Sequence, residues 1–328
     1  MSSILVTGAN GQIGSELIRA LRAHPDHPTV VGLDLRAPDP GDAPPRPSSG
    51  DTAPGTEPFI VADVRDRETL AKAVETYDID TIYHLASLLS ANGEKAPDRT
   101  WDVNVNGLKH VLDLARERSL RVFWPSSIAV FGPSTPRAET PQETILNPTT
   151  MYGVTKRSGE LLCRYYHQRY GVDVRSLRYP GLISYDTLPG GGTTDYAVDM
   201  FYEALRTGTY ECFVKSETRL PMMYMPDAIR ATIELMDTDA DRINVRDSYN
   251  VTAMSFTAAE LEAAIEAHVP GFACTYAPDE RQRIADAWPT SVDDSAARQD
   301  WNWQPRYTLE AMTEDMLLHL RETVQEDA

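Results

Sequence analysis

A chain of 328 residues, 41% of them apolar and 24% charged, can bury a full core as one large α/β unit carrying a smaller lobe. Its formal charge of −18 would repel phosphates and excludes general nucleic-acid binding, and no apolar run reaches the length of a bilayer span, which excludes a membrane protein. The three cysteines, Cys163, Cys212 and Cys274, are odd in number and far apart, against a disulfide framework or a zinc site, and a first strand already at Ile4 leaves no room for a signal peptide; the reading is a cytoplasmic protein.

Ile4-Leu5-Val6 predicts a short buried strand, after which Ile13, Leu17, Ala20 and Leu21 recur at helical spacing. Further strands are predicted at 29–34, 59–62, 81–85, 121–124 and 172–177, with helices at 67–77, 99–118 and 152–170 between them. Strands alternating with helices predict a Rossmann fold, a doubly wound parallel sheet covered on both faces. The stretch 37–58 breaks the rhythm: rich in Pro, Gly, Ser and Asp, it reads as a flexible surface insertion. Beyond Pro180 the pattern changes. Gly190-Gly191-Gly192 predicts a loop, 195–206 a helix, and 211–214 and 220–225 strands. Pro226 opens a helix carrying Ile229, Ile233 and Met236, and 248–251 reads as one more strand. Thr257 and Glu260 form a capping-box pattern for a helix running to 268, and 309–320 is a closing amphipathic helix. The expected division is a dinucleotide-binding domain, 1–183 with 224–252, and a smaller substrate-binding lobe, 184–223 with 253–328.

The run Gly8-Ala9-Asn10-Gly11-Gln12-Ile13-Gly14 follows the first strand and opens the first helix. Gly8 permits a tight turn, Gly11 lets the backbone approach a pyrophosphate, and Gly14 lets the helix pack close to the strand. The helix N-terminus then offers free N–H groups and a partial positive charge to the anion. Asp34 ends the second strand, where a carboxylate can bond adenosine ribose hydroxyls and repel a 2′-phosphate, so NAD is expected over NADP. Arg36, which could accommodate that phosphate, argues the other way. Asp63, after the third strand, is placed at the adenine edge, and its neighbour Val64 is a further cofactor-binding candidate. Leu85-Ala86-Ser87, after the fourth, would wall the cofactor, and Asn104 is a further cofactor-binding candidate.

Tyr152 and Lys156 stand four residues apart at the start of a predicted helix, which puts both on one face. A free tyrosine, with a pKa of about 10, is a poor base at neutral pH. A nearby ammonium and a cationic nicotinamide would stabilise the phenolate, so that Tyr152 could remove a hydroxyl proton while hydride leaves the same carbon. Lys156 could also hold the nicotinamide ribose. Ser126-Ser127 ends the fifth strand, at the sheet edge where such folds bind ligands, and either hydroxyl could orient the substrate oxygen. His84 reads as a hydrogen-bonded core or cofactor-wall residue rather than a base, and no His, Cys and Asp cluster has metal-ligand spacing.

A glycine loop, a strand-end serine and a Tyr-x-x-x-Lys helix in this order resemble the extended short-chain dehydrogenases, the superfamily that includes sugar-nucleotide epimerases. More narrowly the chain resembles the short-chain type of L-threonine 3-dehydrogenase. The stretches carrying this likeness begin at Ile4 (ILVTGANGQIGSEL), Thr81 (TIYHLASLLSA), Trp124 (WPSSIAVFG), Pro148 (PTTMYGVTK), Arg175 (RSLRYPG), Pro189 (PGGGTTDYA), Arg219 (RLPMMYMPDAIRAT) and Ile284 (IADAWP). They cover almost the whole chain and fail mainly at 37–58, near the adenosine end. The resemblance implies oxidation of the threonine β-hydroxyl to L-2-amino-3-oxobutanoate with reduction of NAD. It selects Ser127 over Ser126, and it implies that Ser90, Ser127, Tyr152, Thr193, Thr194 and Trp288 line the substrate pocket, with Tyr179, Pro180 and Ile183 beside the nicotinamide. Trp288 has a plain alternative as a core aromatic. The resemblance also implies a homodimer, in which helices 99–118 and 152–170 pair across a two-fold axis through residues such as Val103, Leu108, Val111, Leu112, Leu161, Leu162 and Tyr165. The alternative is that these apolar faces meet only the sheet. Two competing functions remain: an NAD-dependent sugar-nucleotide epimerase or dehydratase, and a dinucleotide-sensing regulator without turnover.

Overall fold

The computed structural model describes residues 2–38, 58–186, 190 and 192–326. Most of the 37–58 insertion, and Gly191 of the glycine run, lie outside the described residues.

Seven parallel strands form the main sheet. They are β1 (Ser3–Thr7), β2 (Thr29–Asp34), β3 (Phe59–Val61), β4 (Thr81–His84), β5 (Arg121–Ser127), β6 (Val174–Tyr179) and, beyond a connection holding β7 (Gly181–Ile183), β8 (Thr209–Cys212) and β9 (Arg219–Tyr224), the short β10 (Tyr249–Asn250). Their order is β10-β6-β5-β4-β1-β2-β3, so the chain reverses direction across the sheet between β1 and β4. Ligands of such folds bind at that reversal, outside the carboxyl ends of the strands. The Rossmann expectation is met. Strand alternation divides the core: Ile4 and Val6 face a cluster with Leu17, Leu235 and Trp303, whereas Leu5 faces the opposite one with Val31, Leu112 and Trp124.

The helices that matter for the site are α1 (Gln12–Arg22), α2 (Arg67–Thr76), α3 (Ser90–Lys95), α4 (Pro97–Trp101), α5 (Gly107–Arg118) and α6 (Met151–Tyr170). The predicted helix 99–118 is helical throughout, but one π-type turn, Asp102–Asn106, interrupts it between α4 and α5. Helix α6 begins where Thr150 accepts the Gly153 N–H at 3.1 Å, and Glu94 of α3 accepts the Met151 N–H at 2.5 Å. The start of the Tyr152 helix is thus fixed from two sides.

The rest of the chain builds α7 (Tyr196–Arg206), α8 (Met225–Asp237), β11 (Met254–Thr257), α9 (Ala258–Glu266), β12 (Ala273–Tyr276), α10 (Glu280–Asp286), α11 (Ser295–Trp301) and α12 (Leu309–Glu326). Two small sheets, β11-β9-β7 and β12-β8, belong here. The capping box at Thr257 and Glu260 forms as expected. The predicted strand 211–214 lies two residues earlier, at Thr209–Cys212, because β12 pairs with that stretch. A third core, with Phe201, Leu261, Trp288 and Met316, fills this part of the molecule. No described helix is long and apolar enough to cross a membrane.

Candidate active site

The glycine loop turns directly off β1. The N–H groups of Gly8 and Ala9 donate to the Leu33 carbonyl at 2.9 and 3.2 Å, and Gly11 N–H donates back to the Gly8 carbonyl at 3.1 Å. Gly8 has φ +73°, and a Cβ there would lie 2.7 Å from the Ala86 nitrogen; one at Gly14 would lie 2.1 Å from the Gly8 oxygen. No side chain caps α1 at Gly11, so its first N–H groups are left for a ligand. Nearby, the Asp34 carboxylate accepts N–H groups from Asn10 at 3.0 Å and Leu35 at 2.7 Å, which hold it at the rim of the loop. The exposed Arg36 is tied there through its carbonyl, which accepts from the Asn10 amide at 2.7 Å. A cradle that Cβ atoms would fill, a free helix N-terminus and a fixed carboxylate fit a nicotinamide dinucleotide. So does Ser87, whose Oγ is buried without a partner.

Other residues expected around the cofactor are accounted for less simply. Asp63 is gripped by Arg65 at 2.7 Å, which holds its carboxyl below the usual range. Val64 is buried against Gly107. Asn104, in the π-type turn, accepts the Leu88 N–H at 2.8 Å and donates to the Leu88 carbonyl at 3.1 Å and to Thr155 Oγ1 of α6 at 3.0 Å. It therefore ties the segment after β4 to α6. His84 bonds Thr7 at 2.7 Å, and burial pulls its pKa down to about 3, so it is a neutral core residue. The Tyr179 side chain is buried and its hydroxyl bonds Thr232 of α8. Contact between this residue and a cofactor is left to its backbone.

Ser127, Tyr152 and Lys156 converge at the carboxyl end of β5. Burial pushes Tyr152 up to about 12, and a hydrogen bond from Ser127 offsets part of that. Lys156 is 2% exposed, donates to the Pro125 carbonyl at 2.7 Å, and lies 5.5 Å from the Tyr152 ring centre and 4.7 Å from that of Trp124. Burial pulls it down to about 7, with Cys163 and Glu160 acting in the other direction. The same desolvation penalises phenolate and ammonium alone, whereas the two charges side by side relieve each other. The neighbouring Ser126 donates its hydroxyl to Glu160 at 2.7 Å.

Around this centre, the Tyr152 ring packs on the cluster that contains Ile183 and Trp288. Ser90 is buried at the start of α3, whose Gly93 abuts Tyr152. Thr193 is buried and the Thr194 methyl rests against Gly181, which follows Pro180 at the mouth of β7. A Cβ on Gly190 would lie 3.8 Å from Leu89. Glu160 and Arg178, which the sequence analysis passed over, lie directly behind the centre. A signal existed: Glu160 stands four residues after Lys156, a carboxylate on the buried face of its helix. A cavity of about 610 Å³ opens elsewhere, between α1, α8 and Tyr307, and none of these residues lines it.

A profile described as NAD dependent epimerase/dehydratase family matches residues 4–252, and the chain belongs to that family of enzymes, whose name carries its nicotinamide dinucleotide. Solved structures and curated relatives resemble the chain along nearly its whole length. A crystal structure of L-threonine dehydrogenase from Phytophthora infestans is 50% identical, covers 98% of this chain and 100% of its own, and superposes with a TM-score of 0.91. A monomeric L-threonine 3-dehydrogenase from a metagenome is 49% identical over 98% and 99% of the two chains, with a TM-score of 0.90. An uncharacterized epimerase/dehydratase of Staphylococcus haemolyticus is 47% identical over 99% of both chains.

Proposed function

We propose that the chain oxidises the β-hydroxyl of L-threonine to L-2-amino-3-oxobutanoate with NAD. The observation that carries this reading is the full-length likeness to L-threonine dehydrogenases around a converged Ser127, Tyr152 and Lys156. The substrate hydroxyl sits between Ser127 and Tyr152. Ser127 orients its oxygen, and Tyr152, as phenolate, takes its proton. A bound oxidised nicotinamide would supply the hydride acceptor for the same carbon and a positive charge that favours the Tyr152 phenolate. Lys156 supplies the other positive charge from its seat on the Pro125 carbonyl and reaches the nicotinamide ribose. Gly8, Gly11, Gln12, Ile13 and Gly14 cradle the pyrophosphate, and Asp34 takes the adenosine ribose and disfavours a 2′-phosphate. Ser90, Thr193 and Thr194 line the amino-acid end, and Trp288 with Ile183 closes the apolar side over the methyl group.

The assay is NADH absorbance on mixing protein, NAD and L-threonine, with a UDP-sugar as parallel substrate. Threonine-dependent NADH is the expected result. Conversion of the UDP-sugar with no response to threonine would overturn the reading in favour of an epimerase or dehydratase.

A further inference from the structure

Three consecutive residues at the end of β5 engage three positions of α6 spaced by four. The Pro125 carbonyl accepts from Lys156, the Ser126 hydroxyl donates to Glu160, and Ser127 interacts with Tyr152 in the sense that favours its phenolate. The first and third contacts belong to the chemistry. The second is wholly buried.

Glu160 is 0% exposed, and its carboxylate is saturated. One oxygen accepts Ser126 Oγ at 2.7 Å and Arg178 Nε at 2.8 Å; the other accepts a second nitrogen of Arg178 at 3.1 Å and Arg157 at 3.0 Å. Arg178, 1% exposed and paired in β6 with Ser126 of β5, spends its remaining nitrogen on the Gln142 carbonyl at 3.0 Å and Asn250 of β10 at 3.1 Å. Asp247 stands 3.8 Å from the same guanidinium, and Lys156 lies one turn away on Glu160's own helix. A buried ion pair of this kind contributes little net stability over apolar residues of equal size, because desolvation offsets the attraction. What it does supply is direction: charged hydrogen bonds in a dry site allow few geometries.

We propose that Glu160 is a positioning residue, which through Ser126 and Arg178 locks the end of β5 against α6 so that the Ser127 and Tyr152 hydroxyls meet. The inference rests on Ser127 and Tyr152 as the reacting pair. Neighbouring side chains on an extended strand point opposite ways, so anchoring Ser126 on one side fixes the rotation that presents Ser127 on the other. Reactive geometry is steep in distance: a displacement of about 1 Å costs on the order of a hundredfold in rate.

The test uses the full chain with Ser126→Ala, which removes the tether and keeps the ion pair, Ser126→Thr, which restores a hydroxyl, and Glu160→Gln. Ser126→Ala is expected to lower the single-turnover rate of NADH formation about tenfold, and Glu160→Gln further, by disturbing that geometry. The turnover amplitude, the NAD dissociation constant and KM for threonine should hold, and Ser126→Thr should recover most of the rate. A purely structural role would instead lower the amplitude and the melting temperature at unchanged rate. Wild-type rate in Ser126→Ala, or no rescue by threonine at position 126, overturns the proposal. Crystal structures of wild type and Ser126→Ala provide a measure independent of substrate. The Ser127–Tyr152 separation should widen in the variant, and an unmoved pair overturns the proposal even if wild type proves inactive on threonine. That inactivity alone would count against the functional reading and not against the tether.

Discussion

Gly14→Ala perturbs the cofactor cradle by one methyl group. The added Cβ would lie 2.1 Å from the Gly8 oxygen and 3.0 Å from Ala9 Cα, so loop and helix must part by about 1 Å to restore van der Waals contact. The loop cannot recede. Gly8 is bonded to Leu33 at 2.9 Å, and its other side is closed by Ala86. Helix α1 must lift instead. Alanine favours the helix by roughly 0.8–1.0 kcal/mol over glycine, and overpacking costs about 1–3 kcal/mol, so the net loss of stability should stay below about 2 kcal/mol. Binding suffers more, because the lifted helix carries the free N–H groups that face the pyrophosphate. Losing one charge-assisted hydrogen bond, about 1.5–3 kcal/mol, weakens NAD about 10- to 150-fold. Titration calorimetry with NAD, beside a thermal melt, separates the two effects. NAD binding within about twofold of wild type would refute the argument that this contact sets the helix position.

Tyr152→Phe keeps the ring against the Ile183 and Trp288 cluster and removes the base; kcat with L-threonine should fall at least about a hundredfold while the NAD dissociation constant holds, and more than about a tenth of wild-type kcat with chemistry rate-limiting would exclude Tyr152 as the base. Since burial raises Tyr152 and only the deprotonated form accepts a proton, kcat/KM for oxidation should rise with pH. In Lys156→Met that limb should move to higher pH by about one unit or more, equivalent to about 1.4 kcal/mol of lost phenolate stabilisation, with weaker NAD binding as well. Asp34 should give at least about tenfold higher kcat/KM with NAD than with NADP, and Asp34→Asn should narrow the gap. For assembly, Leu108, Val111 and Leu112 are sealed in the core, and the faces left outward are Trp101, Val154, Leu161, Tyr165 and Tyr170. We propose a homodimer through that stripe, and Leu161→Glu with Tyr165→Glu should dissociate it in sedimentation; a wild-type monomer at micromolar concentration would place the chain with the monomeric metagenomic relative instead.

The large elements were legible because their signals are local. Alternation at Ile4 to Val6, the glycine spacing from Gly8 to Gly14, and the four-residue step from Tyr152 to Lys156 each belong to one short segment. What escaped depends on partners distant in sequence. Strands β7 and β11 exist because both pair with β9, and the stretch 209–212 is a strand because 273–276 lies beside it. The choice between Ser126 and Ser127 needed a family likeness at first. In the structure a buried carboxylate 34 residues away accepts the Ser126 hydroxyl. The helix 99–118 was seen as uniform, since nothing in its periodicity marks the extra residue of a π turn; its trace is Asn104, a polar side chain aimed inward at Leu88 and Thr155. Likewise the apolar residues of that helix looked equally available for association until the sheet claimed Leu108, Val111 and Leu112.

Trp124 lies with its indole face 4.7 Å beneath the Lys156 ammonium, fully enclosed. An indole excited state moves charge across its rings, so a cation held over one face shifts its emission in a direction fixed by geometry. Protonation of Lys156 is therefore expected to shift Trp124 emission, a change read without dye or substrate. Four other tryptophans contribute light. The difference spectrum between wild type and Lys156→Met, followed across pH, isolates the one that sits under the charge.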